Sequence, residues 1–532
     1  MQTKRHIGTS LLTSLCTVLL GAAGTVFGRT LYVDDDAPGP VDGSSWTSAF
    51  KYLQDALAVA SAEDEIWVAQ GLYLPDRGGG NTAGDRHATF RVPDGVTIKG
   101  GFAGVGAADP DPRDTTRFET VLTGDLAGND DSAEATWFLD NSPHVVTATE
   151  TSNGAVLDGL TITHGYDRDG GGNGLFNQGA SLTLRDCTFL NNWAGGAIYN
   201  SAGHLRIENC RFLRNDGGNR AGALCNRGGS VQAINCEFIE NSAHDGAGAI
   251  ENVDGNVDFF HCLFQGNHAQ EGAGSIKSSG ILRLLYCTFI DNHVYEHAGA
   301  LAIYGSAVVA HCLFCGNRAE GSGAIYVASA SVRLDQCTFY ANVSTDEGVG
   351  AVYCPSSWSS LPTGSVQARG CIFWANGARR EQDEGGDKLL TGYREQIGGA
   401  PKAATLEYCC VQGWTPQHGG IGNIGVDPLF VAPDQNDFHL QSQAGHWDGT
   451  SLAWVLDDVT SPCIDAGDPN SPVGPEPFPN GGRVNMGVYG GTCEGSKSWF
   501  GIAPGPGINA ADLNGDGRVD AEDYRLATLR RP

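Results

Sequence analysis

A motif of eleven residues recurs along the middle of the chain and constrains the fold more than any other feature. It reads apolar-x-apolar-x-x-Cys-x-Phe-x-x-Asn and occurs eight times, with successive cysteines 23 to 34 residues apart. The cysteines of the motif are Cys187, Cys210, Cys236, Cys262, Cys287, Cys312, Cys337 and Cys371. Repetition at a nearly fixed period predicts a solenoid in which each repeat packs on its neighbours.

The alternation of side chains within the motif predicts the shape of one repeat. Cys187 and Phe189 lie two residues apart and therefore point to the same side of a strand. Two residues separate Leu184 from Cys187, which breaks the alternation and predicts a bend, and a third apolar segment follows Asn192 and a Gly pair. Three short strands per repeat, stacked at about 4.8 Å, predict an all-β chain with inward files of Cys and Phe and a ladder of Asn. The predicted fold class is a single right-handed parallel β-helix of about ten coils.

Such a stack has two ends that need covering. Strands are predicted at 30–33 and 65–69, and the apolar spacing of residues 49–60 between them predicts an N-terminal capping helix. A charged stretch at 380–388 predicts a surface loop, and the Pro- and Gly-rich residues after 427 predict an irregular C-terminal cap. The expected organisation is a signal peptide (1–28), an N-terminal cap with the first coils (29–150), β-helix repeats (151–426), a C-terminal cap (427–500) and a calcium loop with a helix (501–532).

The first residues and the net charge bear on location and partners. Basic residues at 4–6 precede an apolar stretch from 11 to 27, which is typical of an export signal. No second apolar run is long enough to span a bilayer, so we expect no membrane span in the mature chain and a secreted or cell-surface location. A formal charge of −28 argues against nucleic acid as a partner.

A run of acidic residues near the end of the chain has calcium-loop spacing. Oxygen donors stand at loop positions 1, 3, 5, 9 and 12 with Gly517 at position 6, and position 7 offers a backbone carbonyl. The predicted ligands are Asp512, Asn514, Asp516, Arg518 (carbonyl), Asp520 and Asp523. Calcium is therefore the expected cofactor.

The cysteines number sixteen, or fifteen once the signal is removed. Cysteines one coil apart lie within disulfide range. Their side chains point in parallel directions, however, so the sulfurs of the motif cysteines do not face one another. We therefore expect the motif cysteines to be buried thiols. Cys463 and Cys493, in the predicted C-terminal cap, form the expected disulfide.

Several of these motifs resemble those of known families. The sequence GGAI at 195–198 and the F-x-x-N of each coil resemble the repeats of polymorphic outer-membrane proteins, which are surface adhesins. The wider resemblance is to bacterial secreted β-helix proteins of the pectin-lyase-like type, with DPLF at 427, SPCIDAGDP at 461 and NMGVYGG at 485 as C-terminal motifs. The loop at 512–523 resembles one half of a dockerin, which implies a cohesin-like partner, although dockerins usually pair two such repeats.

Catalysis on such a solenoid needs outward polar groups on neighbouring coils. The GHG and R-x-K motifs of polygalacturonase-like hydrolases are missing from the chain. The candidate cluster consists of Asp258, His261, Arg283 and His311. Glu251 and Lys277 occupy equivalent places on adjacent coils, and we expect them to form a cross-coil ion pair.

Two functions remain open from the sequence. The favoured one is an extracellular binding or adhesive scaffold, with polysaccharide or a cell-surface glycan as the expected ligand, because the hydrolase motifs are missing. The alternative is a polysaccharide lyase or glycoside hydrolase, which the resemblance in fold and the dockerin-like tail imply. A fold by itself does not decide between them.

Overall fold

The computed structural model describes residues 28–38, 42–130, 137–150, 153–168, 171–346, 348–355, 364–380, 388–400 and 402–498. The predicted signal peptide, apart from Gly28, and the predicted calcium loop lie outside these residues. The described part has short helices only. They are the α-helices Leu53–Val59 and Tyr393–Gln396 and the 3-10 turns Trp46–Ser48, Trp137–Asp140, Pro416–His418 and Pro433–Gln435.

Two long parallel sheets carry the repeated motif. Sheet 1 has 13 described strands: Thr30–Val33, Glu65–Ala69, Thr97–Phe102, Ala155–Asp158, Ser181–Arg185, His204–Glu208, Ser230–Ile234, Asn256–Phe260, Ile281–Leu285, Ala307–Ala310, Ser331–Asp335, Ser365–Arg369 and Ala404–Glu407. Sheet 2 has 12 described strands: Gly71–Tyr73, Thr120–Thr123, Thr161–Thr163, Thr188–Leu190, Arg211–Leu213, Glu237–Ile239, Leu263–Gln265, Thr288–Ile290, Leu313–Cys315, Thr338–Tyr340, Ile372–Trp374 and Cys410–Val411.

Two further sheets complete each coil. Sheet 3 has 11 described strands: Phe90–Arg91, Val146–Thr149, Leu175–Gln178, Ile198–Ser201, Leu224–Arg227, Ile250–Val253, Ile276–Ser278, Leu301–Ile303, Ile325–Val327, Val352–Cys354 and Ile397–Gly399. Sheet 4 has 7: Ser242–Ala243, His268–Ala269, His293–Val294, Arg318–Ala319, Val343–Ser344, Gly377–Arg380 and Lys388–Leu390, the last pair antiparallel on either side of the predicted loop. Two hairpins follow: Phe430–Ala432 with Asp437–Leu440, and His446–Asp448 with Ala453–Val455. The predicted parallel β-helix is confirmed.

The interior consists of files of equivalent side chains. The motif phenylalanines stack with centroids 4.7 to 5.0 Å apart and ring planes within 9° of parallel. The members of this stack are Phe189, Phe212, Phe238, Phe264, Phe289, Phe314, Phe339 and Phe373. The motif cysteines belong to the same buried cluster. Both predicted files are therefore present, and apolar burial along them stabilises the stack.

The motif asparagines form the predicted ladder. Each Nδ2 donates to the Oδ1 of the next coil at 2.8 to 3.0 Å, from Asn192 to Asn376. A second ladder in sheet 3, which was not predicted, joins Asn177, Asn200, Asn226 and Asn252 at 2.7 to 2.8 Å. Both ladders satisfy amides that burial would otherwise leave unpaired, apart from Asn177 Oδ1 at the start of the second ladder.

The bend between sheets 1 and 2 has one conformation along the stack. The residue before each motif cysteine has a left-handed backbone, with φ between 50° and 56° from Asp186 to Gln336 and 64° at Gly370. We call these residues the bend row: Asp186, Asn209, Asn235, His261, Tyr286, His311, Gln336 and Gly370. Their side chains stand in register outside the core.

The N-terminal helix is shorter than predicted. It covers Leu53–Val59, whereas residues 49–52 are not α-helical. Phe50 instead forms a parallel bridge with Val33, which places it beside the first strand at the edge of sheet 1. Buried Leu53 and Leu57 of the helix join the core, so the helix does act as the predicted cap.

The C-terminal segment (residues 427–498) lies along the outside of sheet 2 rather than across the end of the stack. The ring of Phe430 lies 5.8 Å from that of Tyr340, and the Val488 N–H donates to Thr338 Oγ1 at 3.0 Å. Outward apolar residues of sheet 2, such as Ile372, pack into the same cluster. The segment therefore covers outward apolar side chains of sheet 2 that would otherwise face water.

The prediction of buried thiols is confirmed for the motif cysteines, whereas the predicted disulfide between Cys463 and Cys493 is wrong. The motif cysteines are buried thiols. Cys463 is buried against Cys410, with no bond to Cys493. The C-terminal segment folds back along sheet 2, which brings Cys463 to sheet 2 instead.

Candidate functional site

The predicted catalytic cluster separates into two parts. Asp258 and Arg283 are paired in register on sheet 1, and Arg283 Nη1 lies 3.2 Å from Asp258 Oδ1. The arginine side chain is 58% exposed, so this ion pair contributes at most about 1 kcal/mol. Within the described residues, no hydrogen bond joins the pair to either predicted histidine.

The two histidines belong to the bend row. His261 stacks on Tyr286, and Tyr286 stacks on His311, with centroids 4.9 Å apart at both steps. His311 Nδ1 donates to the Val488 carbonyl at 3.3 Å beneath the C-terminal segment. Burial lowers the pKa of His311 to about 4. His311 is thus held neutral under a cover, and a catalytic role for the cluster stays a prediction.

A cavity of about 510 Å³ opens beside sheet 4. Its lining includes Asp291, His293, Tyr295, Arg318 and Thr345. Burial raises the pKa of Asp291 and lowers that of His293, the latter with help from the neighbouring positive charges. We call this the sheet-4 cavity.

A longer surface runs along the outside of sheet 3. The second residue of each strand from Leu175–Gln178 to Val352–Cys354 faces away from the coil interior, although Cys225 and Ala302 are 0% exposed, and strand pairing places these second residues in register. We call them the sheet-3 row: Phe176, Tyr199, Cys225, Glu251, Lys277, Ala302, Tyr326 and Tyr353. Aromatic rings stand at both ends of the row, and charged groups stand in its centre.

Loops between sheets 4 and 3 form one wall beside this row. Arg220 lies 4.8 Å above the ring of Tyr199, and His297 stacks on Tyr326 at 5.1 Å. At the first end, Phe176 stacks on Tyr199 at 5.7 Å. The rings are therefore held in fixed orientations and remain partly exposed, as in a preformed binding surface.

Glu251 lies at the centre of the row. Its side chain is 12% exposed, and its Oε2 accepts from Cys225 Sγ at 3.5 Å and lies 4.0 Å from Arg227 Nη2. Lys277 instead donates to the Asp245 carbonyl at 3.4 Å, so the predicted Glu251–Lys277 ion pair is wrong. Burial, reinforced by the Glu251 charge, raises the pKa of Cys225 to about 12, and the thiol is a neutral neighbour rather than a nucleophile.

The sequence carries a signal for this row. Tyr199 and Tyr326 both follow the first inward aliphatic of the third strand, as do Glu251 and Lys277. In successive repeats, this position holds the aromatic residues at the two ends of the row and the charged residues at its centre.

Three consecutive carboxylates near the N-terminus lie close together. Single oxygens of Asp34, Asp35 and Asp36 all fall within 4.8 Å of one another. Burial raises the pKa of Asp34 and of Asp35. Asp34 already accepts the Val105 N–H at 2.6 Å and the Asp36 N–H at 2.9 Å, so backbone donors use its oxygens.

A comparison with solved structures finds the following similar chains. Pectate lyase Pel9A is 12% identical over 87% of this chain and 97% of its own, with a TM-score of 0.41. XylC in complex with xylose is 10% identical over 76% and 87%, with a TM-score of 0.39. The tailspike gp49 of Acinetobacter baumannii bacteriophage Fri1, a capsular polysaccharide depolymerase, is 11% identical over 75% and 61%, with a TM-score of 0.30.

Two family models match parts of the sequence. A family described as disaggregatase related matches residues 408–467, and the model of right-handed β-helix regions matches residues 137–284. No curated protein matches the sequence. No helix in the described residues has the length and apolarity to cross a membrane. The second model and the stacked parallel sheets agree, and the protein is a right-handed parallel β-helix.

Proposed function

We propose that the protein binds polysaccharide along the sheet-3 row. The observation that carries this proposal is the register of aromatic and charged side chains on one face. Seven coil steps join Phe176 to Tyr353, and at about 4.8 Å per step they span roughly 34 Å. Aromatic faces pack against the C–H faces of sugars, and the polar groups between them bond to hydroxyls, so an extended row suits a chain of sugars.

Binding by affinity gel electrophoresis tests the proposal, with a panel of acidic and neutral polysaccharides in the gel. Tyr199→Ala and Tyr326→Ala should each weaken binding by about tenfold, the equivalent of about 1.4 kcal/mol. Tyr295→Ala is the matched control, because Tyr295 is 63% exposed on the sheet-4 side. Loss of binding in the control variant with unchanged binding in the other two would refute the proposal.

Glu251 favours a second candidate function, polysaccharide cleavage. A carboxylate midway along a sugar-binding row could act as a general acid or base. Product formation on the same panel, followed by reducing ends and by absorbance of unsaturated sugars, measures this activity. Turnover that is lost in Glu251→Gln, with binding retained, would establish it.

Export and the calcium-dependent tail belong to the same proposal and rest on the sequence. The signal at 1–28 would bring the protein to the cell surface or the medium, where polysaccharide is found. The loop at 512–523 would bind calcium and dock to a cohesin-like partner. Fractionation of cells that produce the full chain, and a pull-down with and without EDTA, test the two parts separately.

A further inference from the structure

The loop after the strand Thr120–Thr123 gathers side-chain oxygens around Asp130. The Asp125 carboxylate accepts the backbone N–H groups of Gly128 at 2.7 Å, Asn129 at 3.1 Å and Asp130 at 3.2 Å. Asp130 Oδ2 in turn accepts Asn141 Nδ2 at 2.9 Å. The loop is therefore closed on itself, and the Asn141 amide is fixed beside the Asp130 carboxylate.

Three oxygens at this place have no hydrogen-bond partner among the described residues. They are Asn129 Oδ1, Asn141 Oδ1 and Ser142 Oγ. Asn141 and Ser142 are both 0% exposed. Since the Asn141 amide nitrogen is fixed on Asp130, its free oxygen lies beside that carboxylate. Buried oxygens are seldom left unsatisfied, so this set points to a ligand.

The charges around the loop favour a cation as that ligand. Asp140 Oδ2 accepts the Ala127 N–H at 2.9 Å, which brings a third carboxylate to the loop beside Asp125 and Asp130. The basic groups that face it are His164, whose Nε2 lies 3.9 Å from Asp130 Oδ2, and Arg86, which donates to the Asn141 backbone carbonyl at 3.1 Å. Neither supplies a donor to the three oxygens.

We propose that this loop is a cation site of the calcium class. Asp130 supplies the charge, and the side-chain oxygens of Asn129, Asn141 and Ser142 supply neutral ligands. A set made only of oxygens suits a hard cation such as Ca²⁺, whereas zinc favours nitrogen and sulfur. The site lies in the first coils, and it is independent of both the polysaccharide row and the predicted tail loop.

Calcium titration calorimetry tests the site in the full mature chain. Asp512→Ala and Asp516→Ala first disable the predicted tail loop, and EDTA removes bound metal. This double variant should still take up one Ca²⁺ per chain. Asn141→Leu and, separately, Asn129→Ala in the same background should lower that affinity by at least about tenfold. Glu240→Gln removes an exposed carboxylate elsewhere and should leave it unchanged.

Thermal unfolding keeps the test valid if Asn141→Leu does not fold. Ca²⁺ should raise the unfolding temperature of the tail-loop double variant, because a ligand that binds only the folded state stabilises it. The same shift should be smaller in Asn129→Ala, whose side chain is only partly buried. The proposal is overturned if the double variant shows neither Ca²⁺ uptake nor a temperature shift, or if both persist unchanged in Asn129→Ala.

Discussion

Asn267 lies in the middle of the asparagine ladder, and its replacement by alanine should be strongly destabilising. Its Nδ2 donates to Asn292 Oδ1 at 2.9 Å and to the Phe238 carbonyl at 2.8 Å. Its Oδ1 accepts Asn241 N at 3.1 Å and Asn241 Nδ2 at 3.0 Å. Four buried hydrogen bonds at about 1 kcal/mol each predict that Asn267→Ala lowers the free energy of unfolding by about 4 kcal/mol.

Urea unfolding followed by circular dichroism measures this loss through the transition midpoint, with the slope compared between variants. The matched control is Asn256→Ala, because Asn256 is exposed at the start of the sheet-1 strand of the same coil. The control should lie within about 0.5 kcal/mol of the parent. If Asn267→Ala also changes the free energy of unfolding by no more than about 0.5 kcal/mol, the ladder hydrogen bonds make no net contribution to stability, and the prediction is refuted.

Three further predictions concern buried titratable groups. Burial raises the pKa of Glu476 to about 8 from its ordinary 4.5, so the folded chain retains a proton that the unfolded chain loses. Stability should therefore fall as the pH rises from about 4.5 to 8, and Glu476→Gln should remove this slope in urea unfolding. Burial lowers the pKa of His311 to about 4 from 6.5. The contribution of neutral His311 to stability is therefore complete above pH 6.5 and is lost as the pH falls toward 4. An NMR titration that finds an ordinary pKa would contradict the burial of His311 beneath the C-terminal segment. Cys262 is 2% exposed, and burial raises its pKa. A maleimide should therefore label Cys262 only after denaturation. Mass spectrometry of the protein labelled in its native state checks this.

The sequence by itself determined the repeated coil. Cys and Phe two residues apart must share a face, and an Asn at the same place in every repeat must meet its copies once the coils stack. For that reason the files of Phe212, Phe238 and Phe264 and the ladder through Asn267 were predictable down to single residues. Each of these contacts joins equivalent positions, so the period alone specifies the partner.

Only the tertiary structure decided the contacts between residues that are not equivalent. The C-terminal segment covers the bend row at His311, and Cys463 meets Cys410 instead of Cys493. Glu251 contacts Cys225 on the coil before it, while Lys277 turns to a loop carbonyl. No periodicity encodes these partners, because they depend on how an irregular segment or loop packs on the finished stack and on the charges and apolar surface it finds there.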